Sequence, residues 1–472
     1  MGAAPRPAAA TRARTRLAPS RPRPLSLALL RVLGPAYVRF GLRVDSVEIR
    51  HAERLVEALR GHMEGRSRLI IAFRHPYGDE PQLMSLAVDI LAQREARALG
   101  RPLPGRPHAR FVHGYEVPLW SGPLVRWLLP RSGGLPVHHA RMDAPGIARL
   151  RAAVLDGPCP IALAPEGQVS YRSETIPRLE QGTAQLAFWC AGDLARAGRE
   201  ESVLVLPVSL HVRYDQAESP RLLALLSRVE GDCGLPAGAA PAALPERLRA
   251  LDDCLLGMAA DHYGLSPSFR PSERPGEGQG SAREARRAAI IEEALSKAEA
   301  ALGLRAGATG LEPIDRVYRI RQEGWDRIYP ETIPPGEGGL ARRLADRRAG
   351  EAWYAMRHME LVDLLWYLDE DYLWPGGAAG DSAAGDGPSF GRLVETAYSL
   401  ADLSSRLTGG DISDRPNVMR KAATLVVAQP IEFRSRLEDY RRDRRAALRG
   451  ATAGLRRAYE DCIEEYLHGQ GD

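Results

Sequence analysis

Five short apolar runs between residues 68 and 212 alternate with segments in which apolar residues recur at helical spacing. The helical segments are EPQLMSLAVDILAQREAR, PGIARLRAAVLDG and RLEQGTAQLAFWCAGDLARAG. Short β-favouring runs that alternate with helices predict an α/β fold, with a mostly parallel sheet flanked by helices. The predicted strands are RLIIAF (68–73), ARFVHG (109–114), GGLPVHH (133–139), CPIALAP (159–165) and SVLVLPVSLHV (202–212).

The pattern changes near residue 262, where the predicted α/β domain (46–262) ends. A stretch rich in Pro, Gly, Ser and Glu, LSPSFRPSERPGEGQGSAR, predicts a linker over residues 263–284. Its G-x-G-x-G spacing follows no predicted strand, which favours a flexible linker over a phosphate-binding loop. Residues 285–472 are mostly helical in pattern and predict a helical C-terminal domain of unknown role.

The first 45 residues predict a basic arm followed by an amphipathic segment at a membrane interface. Nine arginines precede the first acid, Asp45. The segment LSLALLRVLGPAYVRFGL is interrupted by Arg31, Pro35 and Arg39, whereas a membrane-spanning helix needs about 20 mostly apolar residues. We therefore favour an interfacial segment whose arginines meet anionic headgroups. A disordered tail, a misplaced start codon and a transit-like leader are the alternatives.

Composition narrows the class of protein further. The five cysteines form no C-x-x-C pair, which argues against a structural zinc site or a disulfide framework and favours a reduced intracellular protein.

The arginine-rich run RSRLEDYRRDRRAALRGATAGLRR contains acids at helical pair distances. This interleaving is typical of a solvated helix face, so we expect no nucleic-acid partner. The histidines show no metal-ligand spacing, and we expect no metal.

A histidine and two acids follow the first predicted strand, in the sequence IIAFRHPYGDEPQ (70–82). Asp79 with Gln82 resembles a capping box at the start of a helix, which would leave Glu80 to meet His75 across the turn. The carboxylate would fix the ring tautomer and stabilise the imidazolium formed when the other nitrogen takes a proton. The alternative is a histidine that only caps a strand.

A second polar turn follows the fourth predicted strand, in the sequence IALAPEGQVSYRSE. It presents Pro165, Glu166 and Gly167 before the next helix, as the first turn presents His75. Carboxyl ends of parallel strands meet at one edge of a sheet, so the two turns predict a shared cleft.

The order and spacing of these blocks closely resemble the glycerolipid acyltransferases typified by 1-acylglycerol-3-phosphate acyltransferase. The resemblance covers about residues 68–212, under half of the chain. The matching blocks are HPYGDE for an H-x4-D motif, GGLPVHHAR, APEGQVS for a P-E-G motif, EQGTAQLA and VLPVSL.

The resemblance implies an O-acyltransferase of phospholipid biosynthesis that moves a fatty acyl group to a hydroxyl of a glycerolipid such as 1-acylglycerol-3-phosphate. The donor would be a thioester of coenzyme A or acyl carrier protein, and no other cofactor is implied. His75 would be the general base and Glu80 its acidic partner, with Asp79 as the competing acid. Glu166 and Gly167 would border the acceptor and the developing oxyanion. A thiolate leaves without much acid help, so one base suffices.

The same resemblance implies a peripheral protein at the cytoplasmic face of a membrane. The segment VPLWSGPLVRWLLP (117–130) is then a second candidate for membrane contact, because Trp120 and Trp127 suit an interface. A hydrophobic core helix is the competing interpretation of that segment.

Three blocks depart from the family pattern, and in the first of them Glu80 stands where the family usually has Asp. His139 and Val169 stand where the family usually has arginines that bind the acceptor phosphate. Phosphate recognition needs a positive fork rather than one backbone position, so neighbouring arginines are the candidate substitutes. These candidates are Arg131, Arg141 and Arg172.

An acceptor without phosphate would also explain the altered blocks. A different class of function is a catalytically inactive acyltransferase-like protein that binds lipid or acts as a scaffold. No G-x-S-x-G elbow supports a serine hydrolase.

Overall fold

The computed structural model forms two compact units. The α/β unit contains the described residues of 18–138, 142–215 and 420–472, and the helical unit contains those of 1–17 and 216–419. Side chains at 119–120 and 279–281 are not described. The structure describes residues 12–14, 21–115, 117–138, 143–235, 244–265, 279–305, 311–330, 332–333, 338–368, 372, 388–410 and 412–469.

The α/β unit is built on a mixed sheet that has eight strands within the described residues. Its order is β1-β7-β6-β2-β5-β3-β4, with β8 also beside β6. Neighbouring strands run parallel except that β6 is antiparallel to β7 and to β8. The strands are β1 (Val44–Arg50), β2 (Ser67–Phe73), β3 (Arg110–Gly114), β4 (Leu135–Val137), β5 (Ile161–Leu163), β6 (Ser202–Tyr214), β7 (Lys421–Val427) and β8 (Ile431–Glu432).

The helices of this unit flank the sheet, which confirms the predicted α/β class with a mostly parallel sheet. A π-helical segment, Ala87–Leu91, joins α3 to α4, and another, Tyr37–Gly41, follows α1. The helices before residue 215 are α1 (Pro24–Ala36), α2 (Ala52–Met63), α3 (Glu80–Leu86), α4 (Ala92–Ala98), α5 (Val117–Trp120), α6 (Gly122–Arg131), α7 (Ala144–Asp156) and α8 (Gly182–Arg196).

The helical unit has no strand among its described residues. Buried Arg–carboxylate pairs join its helices, for example Arg287 with Asp252 at 3.3 Å. Its helices are α9 (Ser219–Asp232), α10 (Leu244–Tyr263), α11 (Gln279–Ala301), α12 (Pro313–Ile328), α13 (Leu340–Leu365) and α14 (Phe390–Leu407), and short 3₁₀ turns lie at Gln216–Glu218 and Ile412–Asp414.

After the helical unit the chain returns to the sheet. Strand β7 lies between β1 and β6, and helices α15 (Leu437–Arg442) and α16 (Arg444–His468) follow it. The sequence pattern assigned 285–472 to one helical domain, whereas residues 420–472 here belong to the α/β unit. The physical reason is that β7 is a buried apolar strand that completes the sheet by pairing with β1 and β6.

The returning segment also supplies part of the core. The Phe188 ring on α8 stacks on Tyr440 with centroids 4.3 Å apart and meets Phe433 edge-on at 4.9 Å. The hydroxyl of Tyr459 on α16 donates to the carbonyl of Ala72 in β2 at 2.9 Å. The C-terminal segment therefore packs directly against the strand that precedes His75.

Each of the five predicted strands overlaps an observed strand, whereas β1, β7 and β8 were not predicted. Residues 266–278 of the predicted linker (263–284) lie outside the described residues, and residues 279–284 belong to α11. Much of the basic arm, residues 1–11 and 15–20, lies outside them as well. None of the helices in the described ranges is both long and apolar enough to cross a membrane.

The position of β7 predicts that its side chains stabilise the α/β unit. Leu425 is fully buried in β7, so Leu425→Ala should lower the local free energy of unfolding by about 2–5 kcal/mol. Hydrogen exchange of peptides from β2 and β6, followed by mass spectrometry, measures this change. Leu467→Ala removes an exposed leucine from α16 and should change it by less than about 0.5 kcal/mol. Equal exchange in the two variants would contradict a structural role for β7.

Candidate active site

The turns that follow β2 and β5 lie at the same edge of the sheet. The two strands are parallel neighbours, with Ala72 opposite Leu163. The amide of Ser170, in the loop after β5, donates to the carbonyl of His75 at 3.0 Å. The backbone amide of His75 in turn donates to Oε1 of Glu166 at 3.2 Å. The structure thus brings together the two predicted turns.

His75 and Glu80 form a hydrogen-bonded dyad. Nδ1 of His75 lies 2.7 Å from Oε2 of Glu80, whose side chain is fully buried. The same carboxylate accepts hydrogen bonds from the amides of Tyr77 at 2.5 Å and Gly78 at 2.8 Å. Gly78 has φ +95°, a backbone conformation that favours glycine in this tight turn. The carboxylate is therefore fixed before it meets the ring.

The dyad geometry assigns the two ring nitrogens different tasks. An ionised carboxylate only accepts hydrogen bonds. Nδ1 of His75 therefore carries a hydrogen and donates a hydrogen bond to Glu80. Nε2 makes no hydrogen bond to any described residue, and the His75 side chain is 18% exposed. The neutral ring thus offers Nε2 as a proton acceptor for a bound hydroxyl.

The surroundings of His75 raise its pKa. Burial alone would lower the pKa, but the carboxylates of Glu80, Glu166 and Asp79 outweigh burial and stabilise the imidazolium. Because the folded-state pKa is raised, this interaction stabilises the fold below the ordinary histidine pKa. That stabilisation is lost as the pH rises through the raised value. A proton taken up at Nε2 would therefore form an imidazolium that these carboxylates stabilise.

The predicted capping box at Asp79 is wrong. Asp79 occupies the residue before α3, but its side chain makes no capping hydrogen bond. Its carboxylate instead lies 2.6 Å from Nζ of Lys421, which strand β7 brings to the turn. His75 therefore donates its hydrogen bond to Glu80, and Asp79 acts on the ring only through its charge.

Arg74 and Glu166 form a fully buried ion pair beside the dyad. Nε of Arg74 lies 3.2 Å from Oε1 of Glu166, and both side chains are 0% exposed. The guanidinium also donates to the carbonyls of Arg172, Ser173 and Thr175 at 2.6–2.8 Å. Arg74 therefore holds the loop between β5 and α8 in place.

The other predicted substrate-binding residues take different positions. Gly167 has φ +75° and its amide donates to Ala164 at 3.2 Å within the turn. The backbone carbonyl of Arg172 accepts a hydrogen bond from Arg74. The Arg131 side chain donates a hydrogen bond to the Trp127 carbonyl in its own helix. Arg141 and His139, the position of the altered family arginine, lie outside the described residues.

Sequence reasoning missed Arg74, Lys421 and Tyr459 as site residues. The Tyr459 hydroxyl is buried, and burial together with the charge of Glu166 raises its pKa well above the usual value. Arg74 directly precedes His75. The sequence pattern did not mark it as a site residue, because an arginine after a strand normally reaches solvent. Across the described part of the chain, no three His, Cys, Asp or Glu side chains are grouped as metal ligands.

Comparison with known proteins finds no family model that matches the chain and no significant match to a curated protein.

The dyad predicts a specific change in the titration of His75. Glu80→Gln removes the carboxylate that favours the imidazolium, so the His75 pKa should fall. The measurement is a pH titration of ¹³Cε1-labelled histidines by NMR, with the His75 signal assigned through His75→Gln. Glu64→Gln, at an exposed carboxylate, is the matched control and should leave the His75 signal unchanged. An unchanged His75 titration in Glu80→Gln would contradict the dyad.

Proposed function

We propose that this chain is an O-acyltransferase that moves a fatty acyl group from a thioester to a hydroxyl of a glycerolipid. The observation that carries the proposal is the 2.7 Å bond between Nδ1 of His75 and Glu80, which leaves Nε2 for a substrate hydroxyl. The order of the H-x4-D-like and P-E-G motifs supports the same chemistry.

The proposed reaction needs one base. Nε2 of His75 takes the proton of the acceptor hydroxyl while the hydroxyl oxygen attacks the carbonyl carbon of the thioester. The C–S bond then breaks, the new ester forms, and the leaving thiolate takes the proton from the imidazolium. Glu80 stabilises the imidazolium between these two proton transfers. The turn of Glu166 and Gly167 is the proposed border of the acceptor and the oxyanion.

The donor and acceptor follow from the resemblance. The donor is a thioester of coenzyme A or acyl carrier protein, and the acceptor is a lysoglycerolipid such as 1-acylglycerol-3-phosphate. Arg172 is one candidate for binding an acceptor phosphate, and its backbone carbonyl accepts a hydrogen bond from Arg74, the residue before His75. Arg131 and Arg141 are the other candidates proposed for that task.

An exposed apolar face supports peripheral binding to a membrane, in the proposed scheme at its cytoplasmic face. Leu25, Val32 and Phe40, on α1 and the π segment after it, are 87%, 73% and 73% exposed. On α6, Leu124 and Trp127 are exposed as well. The two helices meet where the amide of residue 23 donates to the carbonyl of residue 131 at 2.8 Å. Such a face beside arginines suits an anionic lipid surface.

The proposed reaction predicts loss of transfer when the base is removed. Loss of the base in His75→Ala should lower kcat by roughly 10²–10⁴-fold. The assay measures acyl transfer from radiolabelled acyl-CoA and acyl carrier protein thioesters to phosphorylated and non-phosphorylated lysolipids. His468→Ala, at an exposed histidine of α16, is the control and should keep wild-type activity.

The wild-type enzyme should also lose activity as the pH falls through the raised pKa of His75. If folded wild-type protein transfers no acyl group with any pair but still binds the lipids, the inactive lipid-binding alternative replaces the enzyme.

The apolar face predicts the side chains that insert into a bilayer. Val32→Asp with Phe40→Asp places two charges on this face, so binding should fall by at least tenfold because charged groups resist transfer into lipid. Co-sedimentation with vesicles of phosphatidylglycerol and phosphatidylethanolamine measures this change. Leu467→Asp, at an exposed leucine outside this face, is the control. Unchanged binding of the double variant would contradict membrane contact through α1.

A further inference from the structure

A buried lysine contacts the turn that carries the dyad. The chain has two lysines, Lys297 and Lys421. Lys421 is 4% exposed, and its Nζ lies 2.6 Å from Oδ2 of Asp79. Lysine is almost never fully buried unless it is paired, because its ammonium loses hydration. Burial at this position therefore requires the carboxylate of Asp79.

The sheet fixes the position of this lysine. Lys421 is the first residue of β7, with Val44 of β1 opposite it on one side and Tyr214 of β6 on the other. Its amide donates to the carbonyl of Arg43 at 2.9 Å. The neighbouring strand β6 also contacts the turn, because the amide of Val212 donates to the hydroxyl of Tyr77 at 3.2 Å. Lys421 therefore approaches Asp79 from a rigid element.

Each carboxylate near His75 is matched with a different cationic or ionisable group within the described residues. Glu166 is bonded to Arg74, Asp79 to Lys421, and Glu80 to His75 itself. Tyr37, on the π segment after α1, also faces Asp79, and burial together with the charge of Asp79 raises its pKa.

We propose that Lys421 is a positioning residue. It holds Asp79 in an ion pair, so that Glu80, the other acid of the turn, is the hydrogen-bond partner of His75. This inference rests on the proposed function only in that the reaction uses His75 as its base. Without Lys421, Asp79 would be an uncompensated carboxylate beside the dyad and the start of α3. It could then compete for the ring or for the helix amides, as the sequence pattern suggested.

If Lys421 holds Asp79 in this way, replacing Lys421 and replacing Asp79 should shift the pKa of His75 in opposite directions. In Lys421→Met the charge of Asp79 is no longer compensated, so the pKa of His75 should rise. In Asp79→Asn one carboxylate is lost and a cation remains, so the pKa of His75 should fall. The variant with both changes removes a neutral pair and should titrate close to wild type.

The experiment uses the full chain and needs no substrate. The NMR titration of ¹³Cε1-labelled histidines reports on His75, and ¹³Cε-lysine labelling gives two side-chain signals to follow. Asp79→Asn should shift the Lys421 signal and leave the Lys297 signal in place. Lys297→Met is the control, because Lys297 lies on α11 at 3.4 Å from Glu293 and is 40% exposed. Circular dichroism checks that each variant is folded.

An activity measurement adds the functional consequence. Lys421→Met should lower kcat, because Asp79 is then free to compete with Glu80 for the ring of His75. It should also move the acidic limb of the pH–rate profile to higher pH and leave the KM for the thioester unchanged. Lys421→Arg keeps the cation and should restore most of the activity.

The outcomes separate this inference from the proposed function. His75 shifts of opposite sign in the two single variants support the inference even if no variant, including wild type, transfers an acyl group. Shifts of the same sign, or none, overturn the inference even if transfer depends on His75. If Lys421→Met does not fold, Asp79→Asn carries the test, and an unchanged His75 titration in that variant overturns the inference.

Discussion

The buried ion pair between Arg74 and Glu166 is the interaction on which the site depends. It joins the residue after β2 to the turn after β5, and Glu166 also bonds to the backbone of His75. Removal of one partner of such a pair leaves a buried charge and typically costs about 3–5 kcal/mol. Because Arg74 also holds three carbonyls of the loop between β5 and α8, the loop, the turn of Glu166 and His75 are positioned together.

The site therefore combines fixed charges with one group that changes its charge. Arg74 forms an ion pair with Glu166, and Lys421 forms one with Asp79. Glu80 accepts hydrogen bonds from two backbone amides. His75 is the histidine of the site, and its neighbouring carboxylates raise its pKa, so a proton taken by its ring is the charge change that this arrangement stabilises. This is the behaviour required of a general base that must hold a proton briefly and then release it to a leaving group.

The local features of the fold and site could be predicted from the sequence, and the long-range features could not. Strands β2, β5 and β6 show as short apolar runs, and the spacing of His75 and Glu80 predicts their contact because only a turn separates them. Strand β7 lies among helical patterns, and its partners β1 and β6 are far away in sequence. The pairing of Lys421 with Asp79 crosses 342 residues. No local pattern encodes such a contact, so Asp79 was assigned to the nearest available role, a helix cap.

The place of β7 in the sheet also constrains how the protein is made. Strand β6 ends at Tyr214 and β7 begins at Lys421, so the ribosome must synthesise the helical unit before the sheet can be completed. At about 5–20 residues per second, that interval lasts roughly 10–40 s. During this time the edges of β1 and β6 that β7 later covers have unpaired backbone groups, which are templates for wrong pairing. The nascent chain thus passes through a stage in which chaperone protection of these edges matters most.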